Sequence, residues 1–192
     1  EAIELFQLFS KMRPESGTAH YEIAKIFYLE NNNVEKAVKE AALANKLEPN
    51  NKWIKEFYAD MLAISQQKDE ASAIYKDLSE KEKITQDYII KELVLLIDDN
   101  KYQEALDLVN GKMKQNGDFT EEQILLIRYD ILTKLKRYDE AIKDAQALVK
   151  IDNTQARYQI MLANAFENNK DEPNAEKVLT SINEKYLDDK DA

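Results

Sequence analysis

Few side chains in this sequence are of a type and spacing that could do chemistry. His20 is the only histidine and cysteine is absent, which excludes thiolate catalysis, disulfides and cysteine-based zinc sites. A lone histidine without convergent carboxylates makes a poor metal site or general base, so we assign His20 a packing role. Glycine-rich phosphate loops and nucleophile elbows are also missing. We therefore predict no catalytic residue, no metal, no cofactor and no enzyme activity.

Charge and hydropathy limit the partners. Acidic side chains number 37 against 27 basic ones, giving a net charge of −10 that would repel a nucleic-acid backbone. Uncharged apolar runs fall far short of the roughly 20 residues that cross a bilayer, so we predict no membrane insertion by this chain. Only three glycines and three prolines occur, and this scarcity of helix breakers favours an all-α chain.

A short phrase recurs with a period of about 34 residues. It runs from a turn-like stretch through acidic or polar residues to an alanine. These marker alanines are Ala37, Ala71, Ala105, Ala141 and Ala175, at steps of 34, 34, 36 and 34 residues, with Ala2 lying 35 before the first. Near-equal steps of this length indicate an internal structural repeat.

Each repeat contains two amphipathic helical patterns. Apolar residues before and after each marker alanine follow spacings of three and four, which places them on one helical face. Thr120 with Gln123 forms a capping-box pattern, Pro173 suits a first helical turn, and Pro14 and Pro49 lie where second helices should stop. The predicted helices are 1–12, 18–31, 34–47, 51–66, 68–80, 84–98, 101–115, 120–136, 138–150, 154–168 and 172–185.

Two antiparallel helices cannot enclose their own apolar faces, so neighbouring pairs must stack. We predict an all-α, right-handed α-solenoid of stacked antiparallel helix pairs, about eleven helices in a single domain over 1–192. Its predicted parts are a lone second helix (1–16), five helix-pair repeats (17–50, 51–83, 84–118, 119–153 and 154–187) and an acidic tail (188–192).

The repeat resembles the tetratricopeptide repeat (TPR), as found in bacterial-type multi-repeat proteins, along essentially the whole chain. The copy around Ala37 supplies the family's residues at repeat positions 7, 8 and 11 (Ile23, Ala24, Phe27) and then Ala41, Ala44 and Pro49. Small residues at positions 8 and 20 let two helix backbones approach closely. Leu93 and Tyr129 replace the small residue at position 8, so we expect those two pairs to be splayed or shifted.

The resemblance implies a function and a surface. In this family the first helix of each pair lines a concave groove that commonly contacts a protein or peptide ligand. The corresponding residues here are Tyr21, Lys25, Tyr28, Trp53, Glu56, Asp60, Ile90, Val94, Ile97, Leu126, Asp130, Ile160 and Asn164. Aliphatic residues at its centre and flanking acids predict a ligand with aliphatic anchors and some positive charge. The family's Lys/Asn/Arg clamp for carboxylates is missing, because the corresponding positions hold Tyr21, Lys25, Glu56 and Asp60. The two acids there would repel a carboxylate.

Several alternatives remain open at this point. Helix 84–98 is apolar nearly all round, which fits either a ligand surface or deeper burial. Trp53 follows Pro49 closely, and we favour a packing role for it over ligand contact. The chain as a whole is predicted to be an interaction scaffold; the alternatives are a self-associating structural segment and a regulatory arm of a larger protein.

The chain begins in the middle of a repeat, so we expect it to be a fragment with at least one further helix upstream. A targeting signal would lie in that upstream part. The sequence therefore leaves cytoplasmic and periplasmic locations open, and it names neither the partner nor the pathway.

Overall fold

A computed structural model describes residues 2–81 and 86–188, and every helix within those ranges is α-helical apart from one π-helical turn. No strand occurs in the described ranges. The elements are α1 (Ala2–Met12), α2 (Gly17–Leu29), α3 (Val34–Leu47), α4 (Lys52–Ile64), α5 (Lys68–Lys81), α6 (Gln86–Asp98), α7 (Tyr102–Leu108), a π-helical turn (Val109–Met113), α8 (Lys114–Asn116), α9 (Glu121–Lys134), α10 (Tyr138–Ile151), α11 (Ala156–Asn168) and α12 (Glu172–Asp188).

Helix ends agree closely with the sequence prediction. If α7, the π turn and α8 count as one continuous segment, the described residues hold the eleven predicted helices. α1 and α3 end two residues before Pro14 and Pro49, and Pro173 lies in the first turn of α12. The capping box is present as predicted, since Thr120 accepts from the Gln123 backbone and donates its own N–H to the Gln123 side chain.

The chain divides into two compact units, Glu1–Leu95 and Leu96–Ala192, called the N-terminal and C-terminal units below. In the N-terminal unit α2 packs on α3, α4 on α5, α3 on α4, and α1 on α2. In the C-terminal unit α9 packs on α10, α10 on α11, and α11 on α12. Within each unit, therefore, successive helix pairs stack on one another, as the periodicity predicts.

The marker alanines belong to the buried core of the helix pairs. All five are buried, and Ala37, Ala71, Ala105 and Ala141 have no exposed surface. Ala24 and Ala59, at repeat position 8, are equally inaccessible. Because these positions have almost no exposed surface, a side chain larger than a methyl group would have to displace its packed neighbours.

The period also appears in the backbone. Among the described residues, five non-glycine residues have positive φ, one in the turn inside each helix pair: Asn32, Gln66, Asn100, Lys136 and Lys170. Each lies five residues before a marker alanine. In the second pair Gln66 N–H donates to the Ala63 carbonyl at 3.1 Å and Gln67 N–H to the Leu62 carbonyl at 2.9 Å, the two bonds of a Schellman helix end.

Residues in excess of the 34-residue repeat change the backbone only near the point where they occur. The α2–α3 turn holds four residues where the α4–α5 turn holds three, which accounts for the extra residue expected among Asn31, Asn32 and Asn33. The π turn Val109–Met113 takes up an additional residue within the predicted helix 101–115, in the repeat with the longest step. Gly117, with φ of 76°, ends that helix in the left-handed conformation.

Tyr129 replaces the small residue at repeat position 8 and makes a bond outside its own helix pair. The splay expected for that pair stays a prediction. The Tyr129 side chain is buried, and its hydroxyl donates to the Met161 carbonyl at 2.7 Å. The ring thus reaches from α9 to α11, where a polar backbone atom satisfies its hydroxyl. Leu93 is also buried, as an apolar residue at this position should be.

Candidate functional site

An open groove lies between α2 and α4 of the N-terminal unit, which we call the aromatic groove. Its volume is about 400 Å³. The residues that line it are Tyr21, Lys25, Tyr28, Leu29, Phe57, Asp60, Met61, Ala63, Ile64 and Tyr75. Ten side chains from three helices therefore form one largely apolar surface, within the size range of ligand pockets.

Aromatic rings build the wall where α2 meets α4. Tyr21 and Phe57 pack edge to face with their ring centroids 5.3 Å apart. The Lys25 ammonium lies 5.0 Å from the Tyr21 ring centroid, and it also pairs with Glu22 at 3.0 Å. The cation at this rim therefore already has an acidic partner and an aromatic face within the protein.

A hydrogen-bonded network lies at the other side of the groove. Asp60 Oδ1 accepts from the Tyr75 hydroxyl at 2.6 Å and from Lys91 Nζ at 2.8 Å. Glu56 accepts from Lys91 Nζ at 2.9 Å and from the Tyr88 hydroxyl at 3.1 Å. Three helices, α4, α5 and α6, are thereby joined through two carboxylates.

The contacts within this network raise the pKa values of Tyr75 and Lys91. Burial, first of all, and the hydrogen bond to Asp60 raise the pKa of Tyr75 far above its usual value, so the ring stays a neutral donor. Burial alone would lower the pKa of Lys91, but the bonds and charges of Asp60 and Glu56 outweigh it and raise that pKa. The network therefore keeps the Lys91 amine protonated over a wide pH range.

First helices of the C-terminal unit have a different surface. Ile160 of α11 is 46 % exposed, Asn164 and Asp130 are exposed, and Leu126 is half-buried. Desolvation raises the pKa of the Asp130 carboxyl, against the opposing charges of Arg157 and Lys134. The Tyr158 hydroxyl bonds Glu122, so that a second tyrosine links α11 to α9.

The structure brings together some of the predicted groove residues. Tyr21, Lys25, Tyr28 and Asp60 line the aromatic groove, and Glu56 joins it through Lys91. Ile90 and Val94 are 40 % and 57 % exposed on α6, and Ile97 is 37 % exposed. The predicted aliphatic centre is divided between the two units, so its existence as one surface stays a prediction.

Trp53 does not have the packing role that we favoured. Its side chain is 64 % exposed, and the Lys52 ammonium lies 4.9 Å from the centroid of its ring. It opens α4 but is not among the residues that line the aromatic groove. The reason is its place in the first turn of α4, one residue before the buried Ile54.

The sequence prediction missed part of the groove wall. Phe57, Met61, Ile64 and Tyr75 line it, although repeat position selected none of them. Tyr75 belongs to a second helix, which the prediction assigned to the far side of the pair. Its signal in the sequence was weak: a large aromatic residue four positions after a marker alanine.

The described residues contain no group of three or more His, Asp or Glu side chains that could hold a metal ion. His20 is mostly buried and its Nδ1 lies 2.7 Å from Glu40 Oε2, so it joins α2 to α3. This contact agrees with the packing role assigned from the sequence. No helix in the described ranges is long and apolar enough to cross a membrane.

Solved structures similar to this chain are TPR proteins. YrrB, described as a TPR protein with an unusual peptide-binding site, matches with a TM-score of 0.60 and 14% identity over 93% of this chain and 91% of its own. MamA (residues 41 to the end) from Desulfovibrio magneticus RS-1 matches with a TM-score of 0.60 and 14% identity, covering 88% and 93%. A tetratricopeptide repeat protein from Parabacteroides merdae ATCC 43184 has a TM-score of 0.60 and 14% identity, covering 94% and 71%.

No protein-family model and no curated protein sequence matches the chain. Identities of this size show the fold alone. The chain has the all-α helix-pair fold of tetratricopeptide repeat proteins, which confirms the resemblance seen in the sequence.

Proposed function

We propose that this chain is a protein-interaction scaffold and that its aromatic groove binds a segment of a partner protein. The observation that carries the proposal is an open groove of about 400 Å³ whose walls are aromatic and aliphatic and whose charged groups are paired from within. Leu29, at 70 % exposure, and Ile64, at 44 %, offer apolar surface to a ligand. One protein of the same fold is described as having a peptide-binding site, which is consistent with this role.

Binding rather than catalysis is proposed for the same groove. Its ionisable groups are held by fixed partners: Lys25 by Glu22, and Asp60 by Tyr75 and Lys91. A general acid or base must exchange its proton with a substrate, and a carboxylate tied to an ammonium at 2.8 Å is poorly suited to that task. These contacts instead give the groove a fixed shape, which lowers the entropic cost of binding.

The proposal also includes the exposed aliphatic side chains of the first helices. Ile90 and Val94 on α6, and Ile160 on α11, offer additional apolar contacts within their own units. We propose that they contact the partner outside the aromatic groove. Their burial on binding would add affinity in proportion to the apolar area removed from water.

A peptide-display selection tests the proposal. A library of random 16-residue peptides is selected against the immobilised chain, and the dissociation constants of recovered peptides are measured by fluorescence anisotropy. Leu29→Asp should weaken them about tenfold or more, because it places a charge in an apolar contact. Leu29 is highly exposed, so the variant should remain folded.

Leu43→Asp is the matched control. Leu43 is 39 % exposed on α3 of the same repeat, and it does not line the groove. The two variants carry the same change in charge and polarity. Equal loss of affinity in both, or a selection that recovers no peptide, would argue against the proposed function.

Self-association is a second candidate function, and the exposed apolar face of α1 favours it. Leu5, Leu8 and Met12 are 66 %, 56 % and 74 % exposed. Such a surface is commonly covered by another chain. Sedimentation velocity over a hundredfold concentration range should then show a dimer that Leu8→Asp abolishes, and a monomer throughout would dismiss this candidate.

A further inference from the structure

A second cavity lies beside the aromatic groove, at the end of the unit where α3 begins and α4 ends. We call it the turn-side cavity. Its volume is about 630 Å³, larger than that of the groove. The residues that line it are Val34, Glu35, Val38, Lys39, Ile64, Ser65, Gln66 and Gln67. Neither the sequence prediction nor the proposed function includes it.

Ile64 lines both cavities. It is the last residue of α4 and its side chain is 44 % exposed, so it forms an accessible ridge between them. The two cavities therefore adjoin each other at Ile64.

The chemistry of the turn-side cavity suits an apolar side chain carried on an extended backbone. Val34, Val38 and Ile64 provide its apolar surface. At its rim Lys39 Nζ pairs with Glu35 at 2.6 Å, so the rim presents a neutral ion pair. Gln67 Nε2 donates to Ser65 Oγ at 2.8 Å, while Gln66 has an exposed amide with both donor and acceptor.

Charges around the two cavities favour a basic ligand over an acidic one. Lys25 and Lys39 each have a carboxylate partner, at 3.0 and 2.6 Å. Asp60 differs from these paired lysines in having an oxygen left for a ligand. Both of its hydrogen bonds reach Oδ1, and its side chain is 37 % exposed. Its second oxygen can accept from a ligand cation, and the net charge of −10 adds long-range attraction.

We infer that the aromatic groove and the turn-side cavity together bind one extended peptide segment that carries two apolar anchors and a basic residue. One anchor fills the groove, the chain crosses Ile64, the other anchor fills the turn-side cavity, and the basic side chain bonds Asp60. This inference rests on the proposed function and specifies its ligand. Each cavity exceeds the volume of a single large side chain, so both can hold an anchor.

The test uses peptides recovered from the 16-residue display library and two variants that separate the cavities. Leu29→Asp alters only the groove, and Val34→Asp alters only the turn-side cavity. Val34 is the first residue of α3, where an acidic side chain is compatible with the helix dipole. Each variant should weaken a two-anchor peptide about tenfold. Leu43→Asp serves again as the control.

Peptide truncation gives the same test without relying on the folding of a variant. Removing the anchor of the turn-side cavity should weaken binding and abolish the sensitivity to Val34→Asp, while the sensitivity to Leu29→Asp remains. If Leu29→Asp weakens every recovered peptide and Val34→Asp weakens none, the inference is overturned and the proposed function stands. A selection that yields no peptide overturns both.

The basic residue is tested by a second selection against Asp60→Asn. Lysine or arginine should be enriched at one position in peptides recovered with the original chain, and that enrichment should be lost with the variant. Enrichment that persists with Asp60→Asn, or acidic residues at that position, contradicts the assignment to Asp60.

Discussion

The first helices of successive pairs share one repeat frame in the two units, but part of the chemistry that connects them differs. In the N-terminal unit, α4 and α6 are joined by Lys91, which lies between Glu56 and Asp60, and by the Tyr88 hydroxyl, which donates to Glu56. In the described part of the C-terminal unit, α9 and α11 are joined without a lysine: Tyr158 donates to the Glu122 carboxylate, and Tyr129 donates to the Met161 carbonyl. In both units the marker alanines are buried.

This difference separates two roles of the residues. Alanines at the helix contacts determine how closely the helices pack, and they have little freedom to change. Side chains on the adjoining stripe only need to satisfy their polar atoms, which a carboxylate network and a backbone carbonyl can do equally. The surface offered to a partner can therefore vary while the repeat stays the same.

The largest effect is expected at the marker alanines, and it should be similar in the two units. Ala71→Leu and Ala141→Leu each insert a large side chain where no surface is exposed. Overpacking of this kind should cost about 2–3 kcal/mol of unfolding free energy. Urea denaturation followed by circular dichroism at 222 nm measures it.

Ala73→Leu is the control for that pair, because Ala73 is exposed on the same helix as Ala71. It should change the unfolding free energy by less than about 0.5 kcal/mol. A marker variant as mild as this control would refute the view that the alanines set the packing distance.

The next largest loss of stability, from removing a buried tyrosine hydroxyl, should differ between the two units. Tyr75→Phe removes a hydroxyl bonded to a carboxylate at 2.6 Å, and Tyr129→Phe removes one bonded to a carbonyl at 2.7 Å. Bonds to charged groups contribute more, so we expect losses of about 2 and about 1 kcal/mol. The same urea experiment applies, with Tyr138→Phe as the control, because Tyr138 is half-buried and its hydroxyl makes no hydrogen bond to the residues that the structure describes. Equal losses would contradict the assigned difference.

The pH dependence of two carboxylates should have opposite signs. Hydrogen bonds from Lys55 and then Lys81 lower the pKa of Asp77 in the N-terminal unit. Its contribution to stability is therefore present above its unfolded pKa of about 3.8 and is lost as pH falls through the folded pKa. Burial raises the pKa of Asp144 in the C-terminal unit, against the opposing charge of Arg128. Its ionisation costs stability as pH rises from about 3.8 through the folded pKa.

Asp77→Asn and Asp144→Asn make this measurable, because each removes one titration. Unfolding free energies are compared with those of the original chain from pH 3 to pH 7. The advantage of the original chain over Asp77→Asn should grow with pH, and its advantage over Asp144→Asn should shrink. Parallel trends for the two variants would show that the assigned directions are wrong.

The smallest effect concerns the left-handed turns and should again be common to both units. Gln66→Gly and Lys136→Gly relieve a positive φ, of 67° and 58°, that a side chain adopts at a cost. Part of this gain is offset by the greater entropy of the unfolded chain, which leaves about 0.5 kcal/mol of stabilisation. Thermal unfolding is sensitive enough to detect it. Gln67→Gly, next in the chain but without positive φ, should destabilise.

The amino-acid order by itself determined the repeat and the helix boundaries. Alanine spacing, apolar spacings of three and four, and the stops at Pro14 and Pro49 predicted the described helices to within two or three residues. These signals are local, since each concerns residues within a few turns of one helix. A residue such as Ala105 is therefore recognisable as a packing residue from spacing alone.

Only the tertiary structure determined which residues come together to form the aromatic groove and the turn-side cavity. Asp60 and Lys91 are 31 residues apart in the chain, and nothing in their spacing predicts a bond at 2.8 Å. The ridge at Ile64 likewise exists because α3 and α4 bring two separate stretches together. Such contacts depend on the angle and register between helices, which sub-ångström packing determines and the sequence pattern does not report.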